Sequence, residues 1–136
     1  PLVERIVSSL DNKGRIQLEH AFPPCPFNSS VLFPLGILLN ELVSNSFKYA
    51  FEGVEKPRIS IRSSLEEGRM RMVYSDNGNG LPQDFDVQTS GSFGMQLIRA
   101  MTTQLEGRME LSQGKELEWT IDFPCPCEAQ KQGPRG

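Results

Sequence analysis

Scarcity is the first feature of this 136-residue chain. Its three cysteines, Cys25, Cys125 and Cys127, are too few and too oddly placed for a disulfide framework. The Cys-Pro-Cys near the end also lacks zinc-ligand spacing, so all three read as free thiols in a reducing compartment. No apolar run approaches the ~20 residues of a bilayer-spanning helix, and no signal-like segment opens the chain. The expected setting is the cytoplasm. Neither charge dominates: the net charge is −3 and 23% of residues are charged. That balance argues against intrinsic disorder and against a broad footprint for nucleic acid. Asn28-Ser29-Ser30 fits a glycosylation sequon, but without a secretion signal it reads as chance.

What is present suffices for one core. The chain begins at Pro1, and LVERIVSSL reads like the end of a helix begun earlier. Residues 1–10 are therefore expected to be the end of a preceding helix, 11–124 a single domain, and 125–136 a mobile tail. RIQLEH, 15–20, alternates like a strand, and a proline-punctuated loop follows it. Pro34 suits a first helical position, and the apolar pattern after it runs to about Ala50, closed by Gly53 and Pro57. RISIRSS and RMRMVYS, 58–64 and 69–75, read as a β-hairpin with a Gly-containing turn. MQLIRAMTTQLE, 95–106, has helical periodicity and stops at Gly107, a plausible glycine just past the helix end. A last strand pair surrounds Gly114. The expected class is α+β, with helices on one face of a largely antiparallel sheet.

Two stretches carry polar residues where packing alone does not ask for them. On a helical wheel, Glu41, Asn45 and Lys48 share one narrow face of NELVSNSFKYAF. Leu35, Leu39, Leu42, Val43, Ser46, Phe47 and Ala50 cluster opposite, as the face for the sheet. Asn is a poor helix former, so Asn40 and Asn45 are costly choices for mere solvation. A carboxylate, an amide oxygen and an ammonium on one stripe suit Mg²⁺ and phosphate: Mg²⁺ takes few protein oxygens, and Lys48 supplies a point charge. The second stretch is SDNGNG, where Asp76 ends a strand and Gly78 and Gly80 let backbone approach a flat ligand. Downstream, GSFGMQL puts Gly91 and Gly94 ahead of a helix, whose N-terminal N–H groups suit an anion. The glycines match neither the GxxxxGK[ST] phosphate loop nor a Rossmann GxGxxG.

In this order, NELVSNSFKY, DNGNG and GSFGMQL resemble the GHKL ATPase superfamily, which includes gyrase, a heat-shock chaperone, sensor histidine kinases and MutL. The resemblance is closest to the catalytic, ATP-binding domain of sensor histidine kinases and covers roughly 15–124. It implies a two-layer α/β sandwich (the Bergerat fold) holding ATP under a mobile lid. Asn45 would ligate Mg²⁺, with Lys48 and Tyr49 along the nucleotide and Lys48 toward phosphate. Glu41 matches an acidic position that acts as a general base in the hydrolysing relatives. Asp76 would accept a hydrogen bond from the adenine amino group. Gly78 and Gly80 would line the adenine pocket, residues 81–93 would form the lid, and Gly91, Gly94 and Met95 would meet the phosphates.

The implied chemistry is transfer of the ATP γ-phosphate to a histidine on a separate dimerisation domain, with a response regulator downstream. His20, the sole histidine, sits in an apparent strand without the acidic neighbour and helical setting of an acceptor. Two departures from the family stand out. Glu116-Leu117 occupy the place of a Gly-Thr whose Thr supports adenine through water, which leaves Thr120 as a substitute to be tested. The lid is also short. Two other readings fit: a serine kinase of the anti-sigma-factor type, though those typically carry a histidine near Lys48–Tyr49, and a degenerate nucleotide-binding or docking module.

Overall fold

A computed structural model describes residues 4–5, 17–21, 29–47, 51, 53–79 and 93–124. Numbered in chain order, the elements are β1 (Gln17–Ala21), α1 (Ser29–Asn45), β2 (Arg58–Glu66), β3 (Arg69–Asp76), α2 (Phe93–Gln104), β4 (Arg108–Gln113) and β5 (Leu117–Pro124). Glu4 and Arg5 are helical, and the rest of residues 1–10 lies outside the described residues. The expected tail, 125–136, lies outside the described residues.

The strands form one sheet in the order β1-β2-β3-β5-β4. The outer pair β1–β2 is parallel and the other three pairs are antiparallel. A parallel neighbour needs a crossover, and α1 lies within the connection from β1 to β2. The tight partner is the β2–β3 hairpin, in which Glu66 faces Arg69. Glu67 and Gly68 between them have φ of 51° and 76°, the positive pair a type I′ turn requires.

Alternation decides which face is covered. Ile59 and Ile61 of β2, Met70, Met72 and Tyr74 of β3, and Trp119, Ile121 and Phe123 of β5 are buried on the side of the helices. Val31, Leu35, Leu38, Leu39, Leu42 and Val43 meet them from α1, and Met95 and Ile98 from α2. The result is the expected α+β two-layer sandwich. The opposite face of the sheet is polar. It carries a cavity of about 420 Å³ lined by Arg69, Arg71, Arg108, Glu110, Thr120 and Asp122.

Three boundaries correct the sequence reading. Helix α1 starts a turn earlier than expected, with Pro34 as its sixth residue rather than its first. Interior proline costs a backbone hydrogen bond. Here Val31, 4% exposed, and Leu35, 3% exposed, extend the buried stripe upstream, so apolar burial outweighs that cost. Helix α2 spans 93–104, so Phe93, assigned above to the lid, is helical. Gly107 is also not the left-handed residue. Glu106 has φ 60°, and the Glu106 and Gly107 N–H groups bond back to Thr103 O and Thr102 O, both at 2.9 Å. This is a Schellman ending whose left-handed position is Glu106. The glycine is required one residue later for a different reason. A Cβ on Gly107 would lie 2.5 Å from Asp122 O and 2.9 Å from Phe123 Cβ, where β5 passes close by.

Candidate active site

The C-terminal half of α1, the end of β3 and the start of α2 converge on one corner of the sandwich. From α1 come Glu41 and Asn45, both half-buried, and from the turn that continues it Ser46, 2% exposed. The helical spacing that buries Leu42 against the sheet also turns Ser46 inward, because the two are four residues apart. Past Asn45 the helix widens, and Phe51 N–H reaches back to Ser46 O at 3.2 Å. Five-residue steps of this kind are uncommon and recur at functional sites.

Asp76, the last residue of β3, is 3% exposed. It stands on the helix side of the sheet because it keeps the alternation of Met70, Met72 and Tyr74. Its strand neighbours are Ile59 on β2 and Leu117 on β5. A carboxylate among such groups needs donors. Ser46 Oγ donates to its Oδ2 at 2.6 Å, and Gly78 N–H donates to its Oδ1 at 3.0 Å. Burial pushes the Asp76 carboxyl above its ordinary range. The Ser46 and Gly78 bonds pull it back in part, and the nearby Glu116 charge adds to the rise.

Behind Ser46 lies Tyr74, fully buried, with its hydroxyl 2.7 Å from Ser46 Oγ and 3.3 Å from Leu42 O. Burial pushes the Tyr74 phenol far up, so it stays protonated. Each hydroxyl has one proton. Tyr74 has two acceptors for its proton, Leu42 O at 3.3 Å and Ser46 Oγ at 2.7 Å. While Ser46 places its own proton on ionised Asp76, the shorter contact is the one in which Tyr74 donates and Ser46 accepts. The three side chains form a directed series from Tyr74 through Ser46 to Asp76.

Asn77 is tied to the start of β2. Its Oδ1 accepts from Arg58 N–H at 2.7 Å, and its Nδ2 donates to Lys56 O at 2.9 Å. The Arg58 guanidinium in turn pairs with Glu116, just before β5.

At the other end of the corner, Gly94 packs on the polar stripe of α1. A Cβ there would lie 2.9 Å from Glu41 Oε1 and 3.8 Å from Asn45 Oδ1. Glu41, Asn45 and Gly94, separate in the sequence, are therefore in one place. Met95 is 2% exposed and belongs to the core. Lys48, Tyr49, Gly80 and Gly91 lie outside the described residues, as do residues 81–92 of the expected lid.

Several polar contacts were missed by sequence reasoning. Ser46 was assigned to the sheet-facing stripe as packing, and Tyr74 to a strand; the hydroxyl at a core position was the available signal. Thr120 is no substitute for the missing Thr. It pairs with Val73 and points to the polar face, across the sheet from Asp76. The polar-face cavity is separated from the site by the same sheet. His20 lies on β1 as expected, but it has an acidic neighbour after all, with Glu4 Oε2 3.1 Å from its Nε2. The two residues are far apart in sequence, which hid the pair.

Residues 32–126 match the family described as histidine kinase-, DNA gyrase B-, and HSP90-like ATPase. The chain is 23% identical over 109 residues to blue-light-activated histidine kinase 2 of Erythrobacter litoralis, covering 79% of this chain and 32% of that protein. It is 30% identical over 76 residues to the serine-protein kinase RsbW of Listeria innocua, covering 56% of this chain and 46% of that one. The structure of the histidine kinase domain of a blue-light-activated histidine kinase from Erythrobacter litoralis superposes with a TM-score of 0.79. The identity is 23%, over 97% of this chain and 64% of that domain. The chain thus spans less than half the length of either curated relative.

Proposed function

The chain belongs to the histidine kinase-, DNA gyrase B- and HSP90-like ATPase family, and from that membership we propose that it is the ATP-binding catalytic domain of a two-component sensor histidine kinase. The observation that carries this reading is the buried Asp76 carboxylate, held by Ser46 and Gly78 at the end of β3. A carboxylate fixed this way is an acceptor for the amino group of adenine, and guanine would present an oxygen there. Gly78 and Gly80 of the same motif would let backbone approach the ring closely.

The second half of the site suits the phosphates. Asn45 and Glu41 offer hard oxygen donors beside the α2 N-terminus. Asn45 Oδ1 would hold Mg²⁺, whose charge would neutralise phosphate oxygens. Lys48 would add a positive charge, with Tyr49 along the nucleotide and Gly91, Gly94 and Met95 at the phosphate end. Glu41 would orient the γ-phosphate end as an acid–base group. The protein's work in such a transfer is positioning and neutralisation. The acceptor would be a histidine on a separate dimerisation domain, and a response regulator would take the phosphoryl group from it. His20, on an edge strand and engaged by Glu4, does not serve as that acceptor. Among the described residues no helix is long and apolar enough to cross a membrane.

The test is calorimetric titration of ADP and a non-hydrolysable ATP analogue, with and without Mg²⁺. Wild type should bind both, Asp76→Asn should lose adenine nucleotides, and Asn45→Ala should lose mainly the Mg²⁺ dependence. A folded wild type that binds neither nucleotide sinks the proposal. The match to a serine-protein kinase keeps one second reading in view. Incubation with labelled ATP plus either a histidine-bearing dimerisation domain or a serine-bearing partner separates the two.

A further inference from the structure

We infer that Tyr74 is a positioning residue for base selection: through Ser46 it keeps Asp76 an acceptor-only contact, so the site selects bases that present an amino donor. The inference rests on the nucleotide-site reading above and assigns that site's selectivity to a residue that touches no ligand.

The argument is one of counting protons. Tyr74 and Ser46 have one each, and ionised Asp76 has none. With Tyr74 donating at 2.7 Å, the Ser46 oxygen is occupied as an acceptor, and its own proton points to Asp76 Oδ2 at 2.6 Å. Reversal, with Ser46 donating to Tyr74 and Tyr74 to Leu42 O at 3.3 Å, would leave ionised Asp76 facing the bare oxygen of Ser46. Burial of all three groups, each no more than 3% exposed, keeps water from restoring the pattern. Without the Tyr74 hydroxyl, Ser46 is free to turn its proton elsewhere, and Asp76 loses a donor that favours its ionised form.

Among the described residues, the groups recorded around Asp76 do not replace that donor. Its strand neighbours are Ile59 and Leu117, Gly78 N–H already serves Oδ1, and Glu116 is a like charge paired with Arg58. Protonated Asp76 would become a donor, fit for the exocyclic carbonyl oxygen of a 6-oxopurine.

Tyr74→Phe retains the ring and removes only the hydroxyl. Binding of ADP and of inosine diphosphate, which carries an oxygen in place of the amino group, is measured across pH. Wild type should prefer ADP. Tyr74→Phe should weaken ADP roughly tenfold, and inosine diphosphate by less. Acid loss of ADP binding should also move to higher pH. Ser46→Ala should act in the same direction, and Ser46→Thr should restore selectivity. The double variant, Tyr74→Phe with Ser46→Ala, should be no worse than Ser46→Ala alone. If both nucleotides weaken equally with the pH midpoint unmoved, Tyr74 is only structural and the inference is overturned. A wild type that binds no nucleotide overturns the site itself, which is a distinct result.

Discussion

Gly94 meets Glu41 where any other residue would collide with it: a Cβ there would come within 2.9 Å of Glu41 Oε1. The opposing atom is the end of a flexible side chain, so Gly94→Ala should change stability by less than about 1 kcal/mol. It should instead displace Glu41 from Asn45 and weaken the Mg²⁺-dependent part of ATP-analogue binding by roughly tenfold. Melting and calorimetry on the same preparation separate the two effects. Unchanged Mg²⁺ dependence would show that this contact has no part in phosphate binding.

Asp76→Asn should split function from stability. The amide keeps an oxygen for Gly78 N–H, and the series can reverse, the amide nitrogen donating to Ser46, Ser46 to Tyr74 and Tyr74 to Leu42 O, so the two hydroxyl protons keep acceptors. The nucleotide-free variant should melt at or above the wild-type temperature. ADP affinity should fall roughly tenfold to hundredfold, because a donor then faces the amino group. A large loss of thermal stability would contradict the idea that Asp76 is kept for binding at a cost to the fold.

The same carboxylate gives stability and binding opposite responses to pH. Burial raises its folded-state pKa above the ordinary 3.8, so the folded chain takes up the proton before the unfolded chain does. At neutral pH the full penalty for keeping it ionised is present. As pH falls through the raised value toward 3.8, this group's contribution to nucleotide-free stability becomes more favourable. Over that window ADP binding should decline, since the acceptor is being protonated. Denaturant melts of wild type minus Asp76→Asn isolate the first trend, and a difference that shrinks with rising pH instead would refute it.

Gly107 and Glu106 form a pair with opposite expectations. Gly107→Ala drives a Cβ onto backbone, 2.5 Å from Asp122 O, and should destabilise by about 1–3 kcal/mol. Glu106→Gly relieves a left-handed residue at φ 60° and should stabilise by up to about 1 kcal/mol. Urea midpoints decide both, and an equal response at the two positions would mean the helix ending has been misassigned.

The elements that periodicity could reveal were legible. Alternation exposed the β2–β3 hairpin, and helical spacing brought Glu41 and Asn45 to one face. A mixed, mostly antiparallel sheet was expected, but not which strands form its parallel edge, because pairing of β1 with β2 is a tertiary fact with no local pattern. Pro34 misled by its local preference, which burial of Val31 and Leu35 overrode. Ser46 was hidden for a related reason: its position on the wheel says that it is buried, but not that a carboxylate and a phenol wait there. Thr120 needed only the strand's parity, which register supplies.

The bond from Ser46 to Asp76 joins residues 30 positions apart, whereas the β2–β3 turn closes over Glu67 and Gly68. Closing a short loop loses little chain entropy, so the hairpin is available early in folding. The hydroxyl series exists only once α1 has docked on β3. Contacts made that late leave the folding rate nearly untouched and act on unfolding. Tyr74 and Ser46 therefore serve as a latch on the finished molecule: their removal should quicken its opening while its assembly proceeds at the old pace.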